Sequence, residues 1–358
     1  MDLDQWFKEL APSAGGEPSA DIEQSPLPTD SMRASSTRDT LLLSIARPLM
    51  ACEFEVLLNQ HQYPSGADQA VAALDMIAEL ERLISVYQQR SELSNLNRFG
   101  GTRAVSLSED TVRLLMLAQD LNSLTHGAFD ITSGSLSEVW GFSRRQGQMP
   151  SESEILAALE SVGSQYLQVD HEHATARLSR AKVQVNPGGI GKGYALDRAV
   201  GRLQNAGIHD FMIHGGLSSV VARGHRQHSA TGGGWLVALK HPWRWEQTLG
   251  MIRLQDQALG TSGSGKQFFH FGGKRYSHII DPRSGQPAQG MMSATVICPS
   301  GAVADALATA LFVMGPTAAR EFCEQQQLSA ILIFADPKTG RQRMELCCIP
   351  DGMWLKDV

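Results

Sequence analysis

The chain has 358 residues, 42% of them hydrophobic, and a formal net charge of −6. Its length and hydrophobic content allow a sizeable core in one or two domains. Because the basic residues are scattered and the net charge is negative, no surface for nucleic acid is expected. No segment approaches the roughly 20 consecutive apolar residues of a membrane-spanning helix. We therefore predict a soluble globular protein without a membrane span.

The first 40 residues are predicted to be a disordered tail. From residue 11 they are rich in Ser, Pro, Gly and acidic groups and have no apolar period. The opening LDQWFKEL could be a short amphipathic docking helix or a frayed terminus. Asp2 and Asp4 stand where a secretory signal carries positive charge. No export signal is therefore recognised, and we expect a cytoplasmic protein.

The cysteines number five and show no metal-ligand spacing, which is typical of reduced thiols in the cytosol. Cys347 and Cys348 are adjacent. This pair could be redox-active, or it could simply fill the core.

The folded part is expected to run from residue 41 to about residue 350. Strand-like apolar runs come first, and apolar residues then follow at helical spacing from Ala73 to Tyr87. A second helix is predicted between Ser108, its N-cap, and Gly127. Short strands separated by Gly, Pro and Asp turns fill much of the remainder. Helices and strands mix without a regular βαβ alternation, so the predicted class is α+β with mostly antiparallel strands.

A glycine-rich turn separates a predicted strand from a predicted helix in VQVNPGGIGKGYALD, residues 183–197. Glycines allow a ligand to approach the backbone closely, and the N–H groups of a helix start favour anionic oxygens. The turn could therefore hold phosphate groups, with Lys192 beside them. A tight turn that packs strand against helix would explain the glycines equally well. Their spacing matches neither a Walker loop nor a Rossmann fingerprint.

Two further positions could carry chemistry. His278 precedes Asp281 near a strand end, where it could orient a nucleophile or a phosphate, or be an ordinary half-buried histidine. Asp305 and Thr309 are four residues apart in an apolar helix and share one face. Their oxygens suit a hard cation such as Mg²⁺. Alternatively, Thr309 bonds to the carbonyl of Asp305 while Asp305 caps the helix.

These motifs, in this order, resemble the ApbE family of flavin transferases, from about Met50 to Gly315. The matching blocks are SVYQQRSELSNLNR, THGAFDIT, GGIGKGYALD, TSGSG, HIIDPRSG and ADALATAL. Enzymes of this family cut FAD and attach its FMN half to a Thr or Ser hydroxyl of a target protein, releasing AMP. The resemblance implies an ApbE-like mixed fold, FAD as substrate, Mg²⁺ as cofactor, and an acceptor protein with a Thr/Ser flavinylation motif.

The resemblance also implies roles for particular residues. The metal is expected between the carbonyl of Gly189, the carboxylate of Asp305 and the hydroxyl of Thr309. His278 matches the histidine proposed to assist the incoming hydroxyl, so His278 and Asp305 are the catalytic candidates. The implied flavin contacts are Met50, Tyr87, Ala128, Phe129, Asp130, Asn186, Lys192 and Ile279.

The sequence departs from the family pattern at several points. Asn186 replaces the Asp of the usual DLGG, and Leu217 replaces an Asp or Asn. Cys52 stands where Thr is usual, and Ser264-Gly265 follow the TSG turn. Family members are commonly exported, whereas no export signal is recognised here, so we interpret the chain as a divergent, cytosolic member. Two other functions stay open: FAD binding without transfer, and hydrolysis of FAD to FMN and AMP.

Overall fold

The computed structural model describes residues 41–144, 146–227, 233–265, 267–336 and 338–356. The tail predicted over residues 1–40, with its possible docking helix, lies outside these ranges. The helices, in chain order, are α1 (Gly66–Ile84), α2 (Glu92–Phe99), α3 (Glu109–Leu124), α4 (Gly134–Val139), α5 (Glu152–Leu159), α6 (Gly191–Asn205) and α7 (Gly301–Gln326).

The strands alternate irregularly with these helices. They are β1 (Leu42–Leu49), β2 (Cys52–Asn59), β3 (Val105–Ser106), β4 (Leu167–Asp170), β5 (Thr175–Leu178), β6 (Phe211–Gly215), β7 (Ser219–Arg223), β8 (Trp235–Lys240), β9 (Thr248–Leu254), β10 (Gln257–Gly263), β11 (Phe268–Phe271), β12 (Lys274–Ser277), β13 (Met291–Cys298), β14 (Ser329–Ala335), β15 (Gln342–Cys347) and β16 (Trp354–Leu355).

One large antiparallel sheet organises the fold. Its strand order is β1-β2-β6-β7-β10-β13-β14-β15. One face packs against the helices, chiefly α1, α6 and α7, and forms the larger core. The other face packs against the small sheet β16-β9-β8 and forms a second core. The predicted α+β class with mostly antiparallel strands is confirmed.

The helix boundaries match the sequence prediction at one end and differ at another. Ser108 is the N-cap of α3, where its side chain accepts a hydrogen bond from the Thr111 amide. The first long helix, in contrast, ends at Ile84 and not near Tyr87. Ser85 adopts extended backbone angles, which ends the helix, and Tyr87 beyond it is 74% exposed.

Helix α7 is the longest helix and the most buried one in the described part of the chain. Its N-cap is Ser300, and the helix is kinked at Gly315, immediately before Pro316. The alternative in which Asp305 caps this helix is therefore wrong. By length and composition α7 could cross a membrane, but 67% of its apolar window is buried inside the protein. It forms the central helix of the core.

Close backbone contacts fix the position of α7. A Cβ atom on Gly193 of α6 would lie 2.0 Å from the carbonyl oxygen of Gly301. A Cβ atom on Gly260 of β10 would lie 2.4 Å from the carbonyl carbon of Ala304. Both distances are far below van der Waals contact, so only glycine allows α6 and β10 to approach α7 this closely.

The contact between α6 and α7 predicts opposite effects for two glycines of the same helix. Gly193→Ala should lower the free energy of unfolding by about 1–3 kcal/mol, because the added methyl group meets backbone that cannot yield. Gly201→Ala is the control, since nothing lies within 4 Å of its Cβ position. It should raise stability by about 0.5–1 kcal/mol. Urea unfolding of both variants measures the difference, and equal stabilities would contradict the close contact.

Candidate active site

A single cavity of about 1580 Å³ brings together all of the site residues predicted from the sequence. It opens where the glycine-rich turn, the end of β10 and the first turns of α7 meet. The predicted residues that line it are Met50, Tyr87, Ala128, Phe129, Asp130, Asn186, Gly189, Lys192, His278, Ile279, Asp305 and Thr309.

Asp305 is the buried charge at the centre of the site. Its side chain is only 6% exposed. The Ser219 hydroxyl donates to its Oδ1 at 2.7 Å, and the Gly193 amide donates to its Oδ2 at 2.8 Å. Lys192 Nζ lies 3.8 Å from the same Oδ2. The glycine-rich turn, β7 and α7 are therefore joined at one carboxylate.

The electrostatic balance at Asp305 is unfavourable for a lone carboxylate. Burial raises the pKa of Asp305 above its ordinary value, whereas Lys192 and the hydrogen bonds from Ser219 and Gly193 oppose that rise. A cation placed next to the carboxylate would favour its charged form further.

Thr309 lies one turn beyond Asp305 and makes two contacts. Its hydroxyl donates to the Asp305 carbonyl at 3.1 Å, as the alternative in the sequence analysis expected, and lies 2.9 Å from the Ser262 hydroxyl. A Cβ atom on Gly189 would lie 3.2 Å from Thr309 Oγ1 and 3.3 Å from the ring of Phe129. Gly189 thus brings bare backbone up to the Thr309 hydroxyl.

The donor set fits a hard divalent cation. Gly189, Asp305 and Thr309 offer a carbonyl, a carboxylate and a hydroxyl oxygen, the ligand chemistry of Mg²⁺. No group of three or more His, Cys, Asp or Glu of metal-binding geometry occurs in the described part of the chain. A site with one carboxylate needs no such group when substrate phosphates complete the coordination.

The glycine-rich turn is built by its own first residue. Asn186 is the N-cap of a short 3₁₀ turn at Pro187–Gly189, and its Oδ1 accepts a hydrogen bond from the Gly188 amide at 2.9 Å. Helix α6 then starts at Gly191, with Lys192 in its first turn. The strand predicted before the turn is not formed: only Gln184 makes an isolated bridge there, with Ser133. The turn leads directly into α6 and places Lys192 at the cavity.

Phe129 and Asp130 form a rigid wall of the cavity. Asp130 accepts hydrogen bonds from the amide and hydroxyl of Thr132, at 2.8 and 2.6 Å, and from the Ser164 amide at 3.1 Å. Burial raises the pKa of Asp130, and these bonds oppose the rise. Both oxygens of Asp130 thus hold the backbone in place, and the buried Phe129 ring is fixed beside Gly189.

Two hydrophobic residues at the mouth are held in backbone conformations that favour glycine or asparagine. Met50, in the two-residue turn between β1 and β2, has a φ of 47°, and Leu217, between β6 and β7, has a φ of 62°. Tyr87 lies at the same mouth and is 74% exposed, and so is Leu217. Of these three residues, Leu217 alone combines an exposed apolar side chain with a left-handed backbone, and both features are unfavourable for stability.

His278 is oriented by a carbonyl and not by a carboxylate. Its Nδ1 lies 3.0 Å from the carbonyl oxygen of Gln267. Asp281 instead pairs with Arg283, at 2.9 Å to Nε. The orientation of His278 thus comes from the Gln267 carbonyl, while the carboxylate that follows it in the sequence bonds to Arg283. Burial lowers the pKa of His278, and the charge of Lys192 lowers it further, while the bond to Gln267 opposes this. The ring is accordingly neutral near pH 7.

Sequence reasoning assigned no role to three residues that position the site. Asp197 accepts hydrogen bonds from the Ser300 hydroxyl at 2.7 Å and the Gly301 amide at 2.7 Å, and so holds the start of α7. Ser219 bonds to Asp305, and Ser262 bonds to Thr309. Asp197 and Ser262 lie in motifs that were recognised. Their partners are 47 or more positions away along the chain, so only the fold reveals these contacts.

Comparison with known proteins agrees with this geometry. The profile of the ApbE family matches residues 50–332. The chain belongs to the ApbE family.

An FAD:protein FMN transferase of Klebsiella pneumoniae is 32% identical over 71% of this chain and 73% of its own length. One of Haemophilus influenzae is 28% identical over 84% of this chain and 88% of its own. The solved structure of the flavin transferase ApbE from Vibrio cholerae superposes with a TM-score of 0.75 at 27% identity, covering 86% and 97% of the two chains.

Within the ApbE family pattern, the departure at Asn186 leaves the turn intact. The side chain acts as an N-cap, a role that Asn and Asp fill about equally well. The departure at Leu217 is different. Asn and Asp adopt a positive φ at a lower energetic cost than leucine, and Leu217 has a positive φ. Leu217 therefore carries a backbone cost that the usual residue of the family avoids.

That cost predicts the outcome of two substitutions at one position. Leu217→Asn should raise the free energy of unfolding by about 1 kcal/mol, because asparagine tolerates the left-handed conformation. Leu217→Ala removes the same exposed side chain and keeps the strain, so its stability should stay near that of the natural protein. Thermal unfolding compares the two. Equal gains from both substitutions would show that the exposed side chain, and not the backbone, is the unfavourable element.

Proposed function

We propose that this protein transfers FMN from FAD to a Thr or Ser hydroxyl of an acceptor protein, releases AMP, and requires Mg²⁺. The enzyme class predicted from the sequence, FAD:protein FMN transferase, is confirmed, because both curated relatives named above carry that activity. The metal, the hydroxyl acceptor and the released AMP belong to the proposal.

The observation that carries the proposal is the convergence of three kinds of group in one cavity. Asp305, Thr309 and Gly189 offer hard oxygens, while Lys192 and the start of α6 offer positive charge. Phe129 and Tyr87 offer aromatic surface. A dinucleotide with an aromatic ring system and a pyrophosphate matches all three.

The metal site would use the groups that Asp305 and Thr309 already hold in place. Gly189, Asp305 and Thr309 would hold Mg²⁺, which when bound would neutralise negative charge on the pyrophosphate oxygens. Lys192 adds a fixed positive charge 3.8 Å from the carboxylate. Ser219 and the Gly193 amide keep the carboxylate oriented whether or not a ligand is present.

The chemical step needs a proton acceptor near the incoming hydroxyl. As the acceptor oxygen bonds to the FMN-side phosphorus, the bond from that phosphorus to the bridging oxygen breaks and AMP leaves. The proton of the hydroxyl would pass to the neutral imidazole of His278, whose Nδ1 is oriented by the Gln267 carbonyl. Water in place of the hydroxyl would turn the same step into FAD hydrolysis.

Substitution of the central carboxylate tests the site. Asp305→Asn keeps the shape and removes the charge, so AMP release in the presence of FAD, Mg²⁺ and an acceptor should fall by about 10²–10³. Asp120→Asn on the exposed side of α3, away from the cavity, is the matched control and should leave the rate unchanged. Chromatography of AMP gives the rate. An Asp305→Asn protein that is folded and fully active would remove Asp305 from the metal site.

The pH dependence tests His278. Because burial and Lys192 lower its pKa below the ordinary 6.5, the base form persists down to a pH below 6.5. The transfer rate should therefore be maintained down to pH 6.5 and fall only at lower pH. This fall is the acid limb of the pH profile. His278→Ala should slow transfer by about 10²–10⁴ and abolish this acid limb. His173→Ala, in the exposed turn between β4 and β5, should preserve the limb. If the limb survives in His278→Ala, another group accepts the proton.

A further inference from the structure

The cavity extends well beyond the proposed FAD site. At about 1580 Å³ it exceeds the roughly 300–1,000 Å³ typical of a pocket for one small molecule. The additional part, which we call the β8 arm, lies between the small sheet and the face of the main sheet that points away from the helices. The residues of the β8 arm are Met212, His214, Val220, Leu236, Val237, Ala238, Leu239, Lys240, Ile252 and Leu259.

The β8 arm is bordered by the free edge of a strand. In the order β16-β9-β8, strand β8 lies at the edge, and within the described ranges it pairs with β9 alone. Five consecutive residues of β8, from Leu236 to Lys240, line the cavity. Side chains alternate between the faces of a strand, so a strand that presented one face would contribute only every second residue. The edge of β8, with its backbone N–H and C=O groups, faces the arm.

The opposite wall holds a polar atom that lacks a partner. His214 is 6% exposed, and its Nε2 lies 2.7 Å from Glu55 Oε2. Its Nδ1 is buried and has no hydrogen-bond partner among the described residues. Buried polar atoms without a partner are uncommon in folded proteins, and this one lies in a residue that lines the arm.

The β8 arm is joined directly to the catalytic end of the cavity. The loop between β8 and β9 carries Trp243, whose indole N–H donates to the Ser264 hydroxyl at 3.2 Å. Ser264 directly follows β10, which carries Ser262, the partner of Thr309. Trp243 and Trp245 are 50% and 73% exposed at this junction. A chain lying along β8 would therefore pass exposed indole rings on its way to the reacting groups.

We propose that the β8 arm binds an extended segment of the acceptor protein, which adds to the edge of β8 as a further strand. This inference rests on the proposed function, since it identifies where the protein acceptor of that reaction lies. Backbone pairing along β8 would supply affinity, and Trp243 and Trp245 would add apolar contact. An edge strand is well suited to this because its unpaired groups accept another chain without rearrangement.

The experiment begins with a defined peptide probe. A pool of decapeptides with a central threonine and randomised flanks is incubated with the full-length protein, FAD and Mg²⁺, and flavin-labelled peptides are sequenced. The best labelled peptide is then remade with one backbone N-methyl group at each position in turn. Strand addition predicts a loss of labelling of about threefold to tenfold at every second position, because alternate N–H groups point to β8.

Two variants locate the binding site. Trp245→Ala should raise the KM for the peptide about fivefold or more and leave the Kd for FAD unchanged. Phe271→Ala is the matched control, because Phe271 is a 56% exposed aromatic residue that does not line the cavity. It should change neither value. Fluorescence titration gives the FAD affinity separately from transfer.

Each outcome decides between the proposals. Labelling with alternating sensitivity to N-methylation and a higher peptide KM in Trp245→Ala supports the β8 arm as the acceptor site. Labelling without alternation, or a peptide KM that Trp245→Ala leaves unchanged, overturns it. Weaker FAD binding in Trp245→Ala would show that the β8 arm binds the dinucleotide, which also overturns the proposal. If the natural protein labels no peptide, the proposed transfer function is contradicted, and not the mode of docking alone.

Discussion

The site depends on one buried carboxylate at a fixed place in the core. Asp305 lies in the second turn of α7, and α7 can lie where it does only because glycines at positions 193 and 260 bring α6 and β10 against its backbone. Asp197 holds the start of the helix through Ser300 and Gly301. The position of the charge is therefore set by backbone contacts, which allow less relaxation than side-chain packing does.

That fixed charge explains why so many polar groups converge around it. Removing a carboxylate from water is costly unless hydrogen bonds and positive charge replace the lost solvation. Ser219, the Gly193 amide and Lys192 supply part of this replacement. Burial nevertheless raises the pKa of Asp305, so the protein alone does not fully compensate the charge. A cation bound beside the carboxylate, as proposed above, would supply the missing compensation.

The sequence was sufficient to predict the fold class, the α3 boundary at Ser108 and twelve of the residues that line the cavity. Those predictions rest on local signals, namely periodicity, capping residues and short motifs, which are visible in a window of a few residues. Contacts between distant segments were not predictable. The partner of His278 is the Gln267 carbonyl and not the nearby carboxylate of Asp281, because Asp281 is already paired with Arg283. The end of α1 at Ile84 likewise depends on where the core stops, which apolar spacing alone does not reveal.

In the proposed mode of binding, the two faces of the main sheet serve the two substrates of the transfer reaction. Residues of β6 and β7 that point to the helices, such as Ile213 and Val221, belong to the core beneath the dinucleotide groups. Their neighbours His214 and Val220 point the other way and line the β8 arm. Since adjacent strand residues face opposite sides, a single pair of strands can border both binding regions. The two regions meet where these strands end, near Leu217 and Ser262, and the reacting groups lie at that junction. An acceptor that enters along β8 therefore does not need to displace FAD to reach them.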